Sequence, residues 1–163
     1  MNVTIRKYEE RDIGPMVEIW NAVVVEGIAF PQTEILSKEA GFEFFKDQTY
    51  CGIAENPESG EILGLYILHP NNIGRCGHIA NASYAVAPHS RGMHIGEQLV
   101  IDCLQKGKKA DFIILQLNAV VKTNYGARRL YEKLDFTPLG TIPRGFLMKN
   151  GNYEDIVLYY HEL

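Results

Sequence analysis

The segment Val86–Gly96, which reads VAPHSRGMHIG, carries residues that could bind an anion. It follows an apolar run typical of a β-strand, and Pro88 ends that run. Gly92 and Gly96 flank the start of the next predicted helix, where free backbone N–H groups and a close approach to glycine suit a pyrophosphate. Arg91 could add positive charge. The alternative interpretation is that the two glycines only turn the chain.

Two other nucleotide-binding patterns do not fit this segment. The dinucleotide fingerprint Gly-x-Gly-x-x-Gly lies near the first strand and is followed by an acidic residue about 20 positions later. Here the glycine spacing differs and the segment lies in the middle of the chain. The phosphate loop that ends in Gly-Lys-Ser/Thr is absent from the sequence. The sequence therefore argues against both classes of nucleotide-binding protein.

A second set of polar residues follows an apolar run further along the chain. The run Phe112–Asn118 is typical of a strand that is buried on both faces. Asn124 lies where a helix begins, so it is a candidate N-cap. Tyr131 follows two helical turns later on the same face. A tyrosine at such a position can be half-buried and serve only to pack its ring.

Together these two motifs resemble those of the GCN5-related N-acetyltransferase (GNAT) superfamily. The first is RGxxIG over residues 91–96, and the second is NxxAxxLYxxLxF over residues 124–136. They occur in the order and at the separation found in that superfamily. The segments 79–86, 116–124 and 139–143 are also similar to a subgroup that includes the fungal azetidine-2-carboxylate N-acetyltransferases. That subgroup acetylates the amine of small amino acids or their analogues.

The resemblance implies a cosubstrate, acetyl-CoA, and a role for each matching residue. In the superfamily the thioester lies between two splayed central strands, which correspond here to Ile79–Val86 and Phe112–Asn118. The end of the first strand pairs with the pantetheine arm, and the turn after it holds the pyrophosphate. The residue matching Asn124 contacts the arm, and the tyrosine matching Tyr131 acts as general acid toward the thioester sulfur. The coenzyme-binding residues expected in this way are Tyr84, Val86, Arg91, Gly92, Met93, His94, Ile95, Gly96 and Asn124.

Asn81 and Asn118 lie in apolar strands, where an amide side chain needs hydrogen-bond partners. If the two strands flank the thioester, both amides can face the gap between them. Asn81 is then a candidate for binding the carboxylate or the amine of the acceptor. Asn118 is a candidate catalytic residue that accepts a hydrogen bond from the attacking amine and orients it. The alternative is that each amide only satisfies nearby backbone groups.

The acceptor site is predicted around the loop at Trp20–Pro31, with Glu26 and Phe30 as substrate-binding residues and Phe30 as an apolar wall. Arg144 stands where the subgroup commonly has glycine, and we expect it at the lip of the site. The strand that carries Asn81 has no carboxylate to act as general base. Glu26, His78 or a water held by one of the two strand asparagines remain as candidates.

Two further positions depart from the glycine that the superfamily usually has. His94 would either crowd the pyrophosphate or add a hydrogen-bond donor. Asp135 follows a predicted helix, and a positive φ is expected there, which aspartate tolerates better than most residues.

The elements that position these residues follow the predicted order β-α-α-β-β-β-α-β-α-β-β in one domain over residues 1–163. This is a mixed α/β (α+β) sheet of the GNAT acyl-CoA N-acyltransferase type, with splayed central strands. The predicted strands are Val3–Tyr8, Tyr50–Glu55, Ile62–Leu68, His78–Val86, Phe112–Asn118, Phe136–Gly140 and Tyr153–Tyr160. The predicted helices follow an N-cap at Asp12 and cover Ser37–Lys46, Met93–Lys106 and Asn124–Leu134.

Composition argues against several other classes of protein. The formal charge of −4 on 163 residues, together with the lack of a basic stripe in the sequence, argues against a protein that binds nucleic acid. No apolar run approaches the roughly 20 residues that span a bilayer, and the N-terminus reads as no signal segment, so we expect a cytoplasmic protein without a membrane partner. Three widely spaced cysteines and five histidines suggest neither a disulfide framework nor a metal site.

The sequence therefore predicts an N-acetyltransferase in which the amine of a small molecule attacks acetyl-CoA directly, without a metal. A homodimer is a further expectation, since homodimers are common in the superfamily. One alternative is a non-catalytic acyl-CoA-binding regulatory module, which His94 favours. The other is a protein or peptide N-acetyltransferase.

Overall fold

Residues 2–163 are described by the structure, which is a computed structural model. The strands are β1 (Thr4–Lys7), β2 (Tyr50–Glu55), β3 (Ile62–Pro70), β4 (Ile79–Val86), β5 (Ile114–Val121), β6 (Thr137–Leu147) and β7 (Tyr153–Glu162). The α-helices are α1 (Ile13–Glu26), α2 (Lys38–Lys46), α3 (Ile95–Lys109) and α4 (Tyr125–Lys133). The mixed α/β fold and the element order predicted from the sequence are confirmed.

All the strands join one sheet in the order β1-β2-β3-β4-β5-β7-β6. Only β4 and β5 are parallel neighbours in this order, and every other pair is antiparallel. A parallel pair needs a crossover connection, and α3 provides it between β4 and β5.

The helices cover the two faces of the sheet. On one face α1 and α2 pack over β2 and β3, and α1 buries the stripe of Met16, Trp20 and Val23 that its spacing predicts. On the other face α3 buries Leu99 and Cys103 against the sheet, with α4 beside it. The chain thus has a core cluster on each side of the sheet.

The pairing between β4 and β5 is very short. The parallel register includes only Ile79 with Ile114 and Ala80 with Leu115, and beyond these pairs the two strands separate. A register shift between Leu117 and Val120 bends β5 on its other side, where it pairs with β7. The predicted splay of the central strands is therefore confirmed.

Two local expectations are corrected. Asp12 does not cap α1 with its side chain; it accepts hydrogen bonds from the Glu9 N–H and from Arg6 instead. The strand predicted to end at Gly140 continues as β6 to Leu147, because it stays paired with β7.

Candidate active site

The gap between β4 and β5 opens into a cavity of about 690 Å³ that reaches both faces of the sheet. On one side it is lined by residues of α3 and α4, among them Gly96, Asn124 and Tyr131. On the other side it is lined by the loop after α1, the end of α2 and the end of β3. Two molecules that approach from opposite faces can therefore meet between the strands.

The edge of β4 that faces this gap has unpaired backbone groups. The Ala87 N–H donates to Leu63 and the Ile79 carbonyl accepts from Asn71, so the odd-numbered residues of β4 point toward β3. Because directions alternate along a strand, the N–H and C=O groups of Ala82, Tyr84 and Val86 point into the gap. Their positions lie beyond the last pair with β5. An extended ligand could pair with this edge as an added strand would.

The turn between β4 and α3 presents free N–H groups at the start of a long helix. Gly92 has φ 81° and His94, the N-cap of α3, has φ 60°, both in the left-handed region. This conformation favours glycine, the residue that the family resemblance predicts at the position of His94. The His94 side chain is 80% exposed, so it leaves the backbone of the turn accessible to an anion.

The charges near this turn are already partnered. The Arg91 guanidinium lies 2.7 Å from the Glu26 carboxylate at the end of α1. Glu97, in the first turn of α3, accepts two hydrogen bonds from Lys133 at 2.7 and 2.8 Å. Lys133 thereby offsets a carboxylate that would otherwise repel a bound phosphate.

The predicted cap at Asn124 is present, and the same residue lines the cavity. Its Oδ1 accepts a hydrogen bond from the Ala127 N–H at 3.2 Å, which caps α4. Its side-chain amide group lines the cavity and retains N–H donors that the cap does not use.

Tyr131 lines the cavity among other aromatic side chains. Its ring centroid lies 5.4 Å from that of Phe136, 5.9 Å from Tyr159 and 6.2 Å from Tyr84. Burial raises the pKa of Tyr131 above the ordinary value of a phenol, and the nearby Cys103 and Tyr159 add to the increase. The hydroxyl is therefore protonated at neutral pH, so it can donate a hydrogen bond or a proton but cannot act as a base.

The two strand asparagines lie on the cavity wall in an amide network. Asn81 donates from Nδ2 to the Gln116 carbonyl at 2.9 Å, across the point where β4 and β5 separate. Asn118 accepts from Gln116 Nε2 at 3.0 Å and donates to Asn71 Oδ1 at 2.6 Å, in the loop after β3. Each amide thus has local partners, and the Oδ1 of Asn81 remains available as an acceptor.

Of the three other residues predicted for the acceptor site, only Phe30 lines the cavity, whereas Glu26 and Arg144 do not. Phe30 is buried against Trp20, with ring centroids 4.4 Å apart, and it lines the cavity. Glu26 is paired with Arg91 and does not belong to the cavity lining. Arg144 of β6, with φ 55°, is exposed, lies over the ring of Tyr153 in β7 and is also outside the lining. The structure thus brings Phe30 together with the strand asparagines but not Glu26 or Arg144.

Sequence reasoning missed several polar residues of the lining. His69 near the end of β3, Ser83 on β4, and Asp47 and Gln48 after α2 all line the cavity. The Gln48 Oε1 is buried without a hydrogen-bond partner in the described chain. No lysine or arginine belongs to the lining among residues 2–163. Only the register of β3 with β4 places His69 here, so no local motif could have identified it.

Neither a membrane-spanning helix nor a metal-binding cluster is found among residues 2–163. No helix within residues 2–163 has the length and the apolar character needed to cross a membrane. Within the same range, no group of three or more His, Cys, Asp or Glu side chains is arranged to hold a metal ion.

Comparison with known proteins gives a consistent result. The model of the acetyltransferase (GNAT) family matches residues 18–136. The chain is 36% identical over 102 residues to N-acetyltransferase aca1 of Schizosaccharomyces pombe, which covers 61% of this chain and 49% of that protein. It therefore spans about half the length of this relative.

Solved structures share the fold over almost the whole chain. A GCN5-related N-acetyltransferase from Kribbella flavida has a TM-score of 0.91 at 26% identity and covers 99% of this chain and 98% of its own. A phosphinothricin acetyltransferase from Sinorhizobium meliloti, solved in complex with AcCoA, has a TM-score of 0.92 at 18% identity and covers 100% of this chain and 89% of its own. At that identity the second likeness concerns the fold alone.

Proposed function

The chain belongs to the acetyltransferase (GNAT) family, and from that premise we propose that it transfers the acetyl group of acetyl-CoA to the amine of a small molecule. The observation that carries the proposal is the cavity between β4 and β5, with the unpaired edge of β4 on one wall and Tyr131 on another. This arrangement suits an extended acyl carrier on one face of the sheet and a nucleophile on the other.

The free hydrogen-bonding groups of the site fit acetyl-CoA. The pyrophosphate would accept from N–H groups of the turn that contains Gly92 and Gly96, with Arg91 beside it. The pantetheine arm would pair with the edge at Tyr84 and Val86, and Asn124 would donate to it from Nδ2. We further propose that Met93, His94 and Ile95 contribute only backbone groups to this turn.

The chemistry follows from the donors that face the gap. The Val86 N–H points toward the gap and would stabilise the oxyanion that forms when an amine attacks the thioester. Tyr131, which stays protonated, would donate its proton toward the leaving thiolate. No covalent enzyme intermediate is required.

The acceptor that we propose is a small free amino acid or an analogue, as for the subgroup that acetylates azetidine-2-carboxylate. The cavity must hold the thioester as well as the acceptor amine, and its volume of about 690 Å³ suits a small molecule. Asn81, Asn118 and Ser83 offer neutral polar contacts on the acceptor face, and Phe30 offers an apolar wall. Glu26 and Arg144 lie outside the lining, so neither would contact the substrate directly.

A second acceptor class is favoured by one observation. Among residues 2–163 the cavity lining contains no lysine or arginine, which are the usual partners of a carboxylate. An amine without a carboxylate is therefore the second candidate.

The test begins with calorimetric titration of the protein with acetyl-CoA, followed by thiol release with paired amines. Proline and azetidine-2-carboxylate are each compared with the ring amine that lacks the carboxylate, pyrrolidine or azetidine. Thiol release that depends on the amine establishes the transferase, and the preferred member of each pair identifies the acceptor class. Acetyl-CoA binding without release from any amine or peptide would favour a non-catalytic acyl-CoA-binding module. Release only with peptides would favour a protein N-acetyltransferase.

A further inference from the structure

We infer that His69 is the general base of this site and takes a proton from the acceptor ammonium. The inference rests on the proposed function, because it assigns the proton step that amine acetylation requires. An amine at neutral pH is largely protonated and has no free lone pair, so something at the acceptor side must remove a proton before attack. None of the residues assigned a role above is a base, because Tyr131 stays protonated and the amides of Asn81 and Asn118 have no basic nitrogen.

The register of the sheet places His69 at the correct side of the gap. His69 on β3 is directly opposite Asn81 on β4, and paired residues project from the same face of a sheet. That face is the one covered by α1 and α2, since the pair Leu65 and Ala85 further along the same strands belongs to the core beneath these helices. Asn81 marks the point where β4 and β5 separate. His69 therefore borders the opening through which an acceptor reaches the thioester.

One hydrogen bond fixes the state of the imidazole. His69 Nδ1 lies 2.9 Å from the Pro70 carbonyl oxygen. A carbonyl only accepts, so Nδ1 carries the proton and donates it. In the neutral ring the lone pair is then on Nε2, which is the nitrogen left to accept a proton. The same bond persists in the imidazolium, so the ring keeps its orientation when it becomes charged.

The competing groups are less suitably placed. Glu26 is held by Arg91 outside the cavity lining, and His78 is exposed and also outside it. The other titratable side chains of the lining, within the described chain, are Asp47, Tyr84 and Tyr131. Asp47 lies at the exposed end of α2. Burial raises the pKa of each of the two tyrosines, and a protonated phenol cannot act as a base.

The proton balance of the reaction closes with these groups. The ammonium proton passes to His69 Nε2, and the freed lone pair forms the C–N bond at the thioester carbonyl. The C–S bond then breaks, and the thiolate takes the hydroxyl proton of Tyr131. The second proton lost by the nitrogen restores the phenol, and the imidazolium releases its proton to solvent. One proton is released per amide formed.

The test is the variant His69→Asn, whose amide can still donate to the Pro70 carbonyl but has no basic nitrogen. We expect kcat to fall by about 10²- to 10³-fold, which is the usual contribution of a positioned base. The kcat/KM of the variant for a basic amine should keep rising with pH until the free amine itself is deprotonated, while the dissociation constant for acetyl-CoA stays that of the wild type. His78→Asn is the matched control, and it should retain wild-type kcat.

An acceptor amine of low basicity separates proton removal from substrate binding. Such an amine is unprotonated at neutral pH, so its acetylation by His69→Asn should fall by less than tenfold relative to the wild type. An equal loss with basic and weakly basic amines, or an unchanged kcat in the variant, would overturn the inference. His69→Gln provides the same comparison if the asparagine variant does not bind acetyl-CoA. Absence of thiol release by the wild-type protein would overturn the proposed function itself, which distinguishes the two failures.

Discussion

Tyr131 lines the cavity and is, under the proposed function, the residue that would protonate the leaving thiolate. Aromatic rings surround it, and burial keeps its hydroxyl protonated at neutral pH. We therefore expect Tyr131→Phe to bind acetyl-CoA with unchanged affinity, because the ring and its packing are retained. We expect kcat to fall by about 10²- to 10³-fold, because the proton donor is lost. Calorimetry and thiol release measure the two effects separately.

The control for this change is Tyr125→Phe, on the first residue of the same helix. Tyr125 is 58% exposed and does not line the cavity, so the loss of its hydroxyl should leave both kcat and affinity unchanged. Equal turnover of Tyr131→Phe and the wild type at the pH optimum would mean that solvent protonates the thiolate.

The sequence could predict some of these residues but not others. Asn124 and Tyr131 lie within one short motif, and the helical period alone places them on one face two turns apart. His69 could not be identified in this way. It lies beside Asn81 only because of the register between two strands that a long loop joins. The hydrogen bond from Asn118 to Asn71, which lies in that loop, could not be predicted from the sequence for the same reason.

The turn between β4 and α3 depends on backbone conformations that few residues adopt. Gly92 has φ 81°, and a Cβ added there would meet nothing within 4 Å. The cost of Gly92→Ala is therefore conformational, about 1–2 kcal/mol for a left-handed alanine. If the turn relaxes to avoid this cost, its N–H groups lose their alignment. We expect the dissociation constant for acetyl-CoA to rise about tenfold, since 1.4 kcal/mol corresponds to that factor.

A glycine in α4 provides the matched control for this prediction. Gly126 also has open space around a Cβ, but it lies in a helix with no positive φ. Gly126→Ala should leave the affinity for acetyl-CoA unchanged and stabilise the protein slightly. Equal dissociation constants for the two variants in calorimetry would show that the turn does not hold the pyrophosphate.

The order of the helices and strands can be predicted from periodicity and turn signals, but several of their ends cannot. Local signals stop β6 at Gly140, whereas the strand continues because β7 supplies partners as far as Leu147. Asp12 precedes α1 as a capping residue would, yet its carboxylate accepts hydrogen bonds from Arg6 and the Glu9 N–H instead of from the helix. The positive φ of Asp135 is confirmed at 63°, because a helix end constrains the residue that follows it. Contacts between distant parts of the chain therefore determine where β6 ends and which groups bind Asp12, and the local sequence does not.

Across the whole molecule, the gap divides the sheet into β1–β4 and β5–β7. The two parts share only two register pairs between β4 and β5, so packing against the helices must hold them together there. The sequence predicted the splay only through a family resemblance. Apolar composition alone predicts that both strands are buried, and it does not determine where their pairing stops.

At the β1 edge of the sheet, one arginine is paired with two carboxylates. Arg6 of β1 donates to Asp12 at 2.7 and 3.0 Å and to Glu55 of β2 at 2.7 and 3.1 Å. Burial alone would raise the pKa of Asp12, but hydrogen bonds from Arg6 and the Glu9 N–H outweigh it, and the net shift is downward. The cluster links the N-terminal strand, the start of α1 and β2, so its loss affects the stability of the whole chain.

Asp12→Asn should therefore destabilise the protein at neutral pH by about 2 kcal/mol, since it removes charge-assisted hydrogen bonds from Arg6, which keeps Glu55 as its other partner. A carboxyl whose folded pKa is depressed stabilises the fold above its unfolded pKa of about 4, and this contribution is lost as the pH falls through the folded value. The difference in the free energy of unfolding between wild type and variant should thus shrink between pH 5 and pH 2. Urea unfolding across this range measures it, and Glu58→Gln, in the exposed turn after β2, is the control that should match the wild type. A difference that stays constant down to pH 2 would mean that Asp12 acts by packing rather than by its charge.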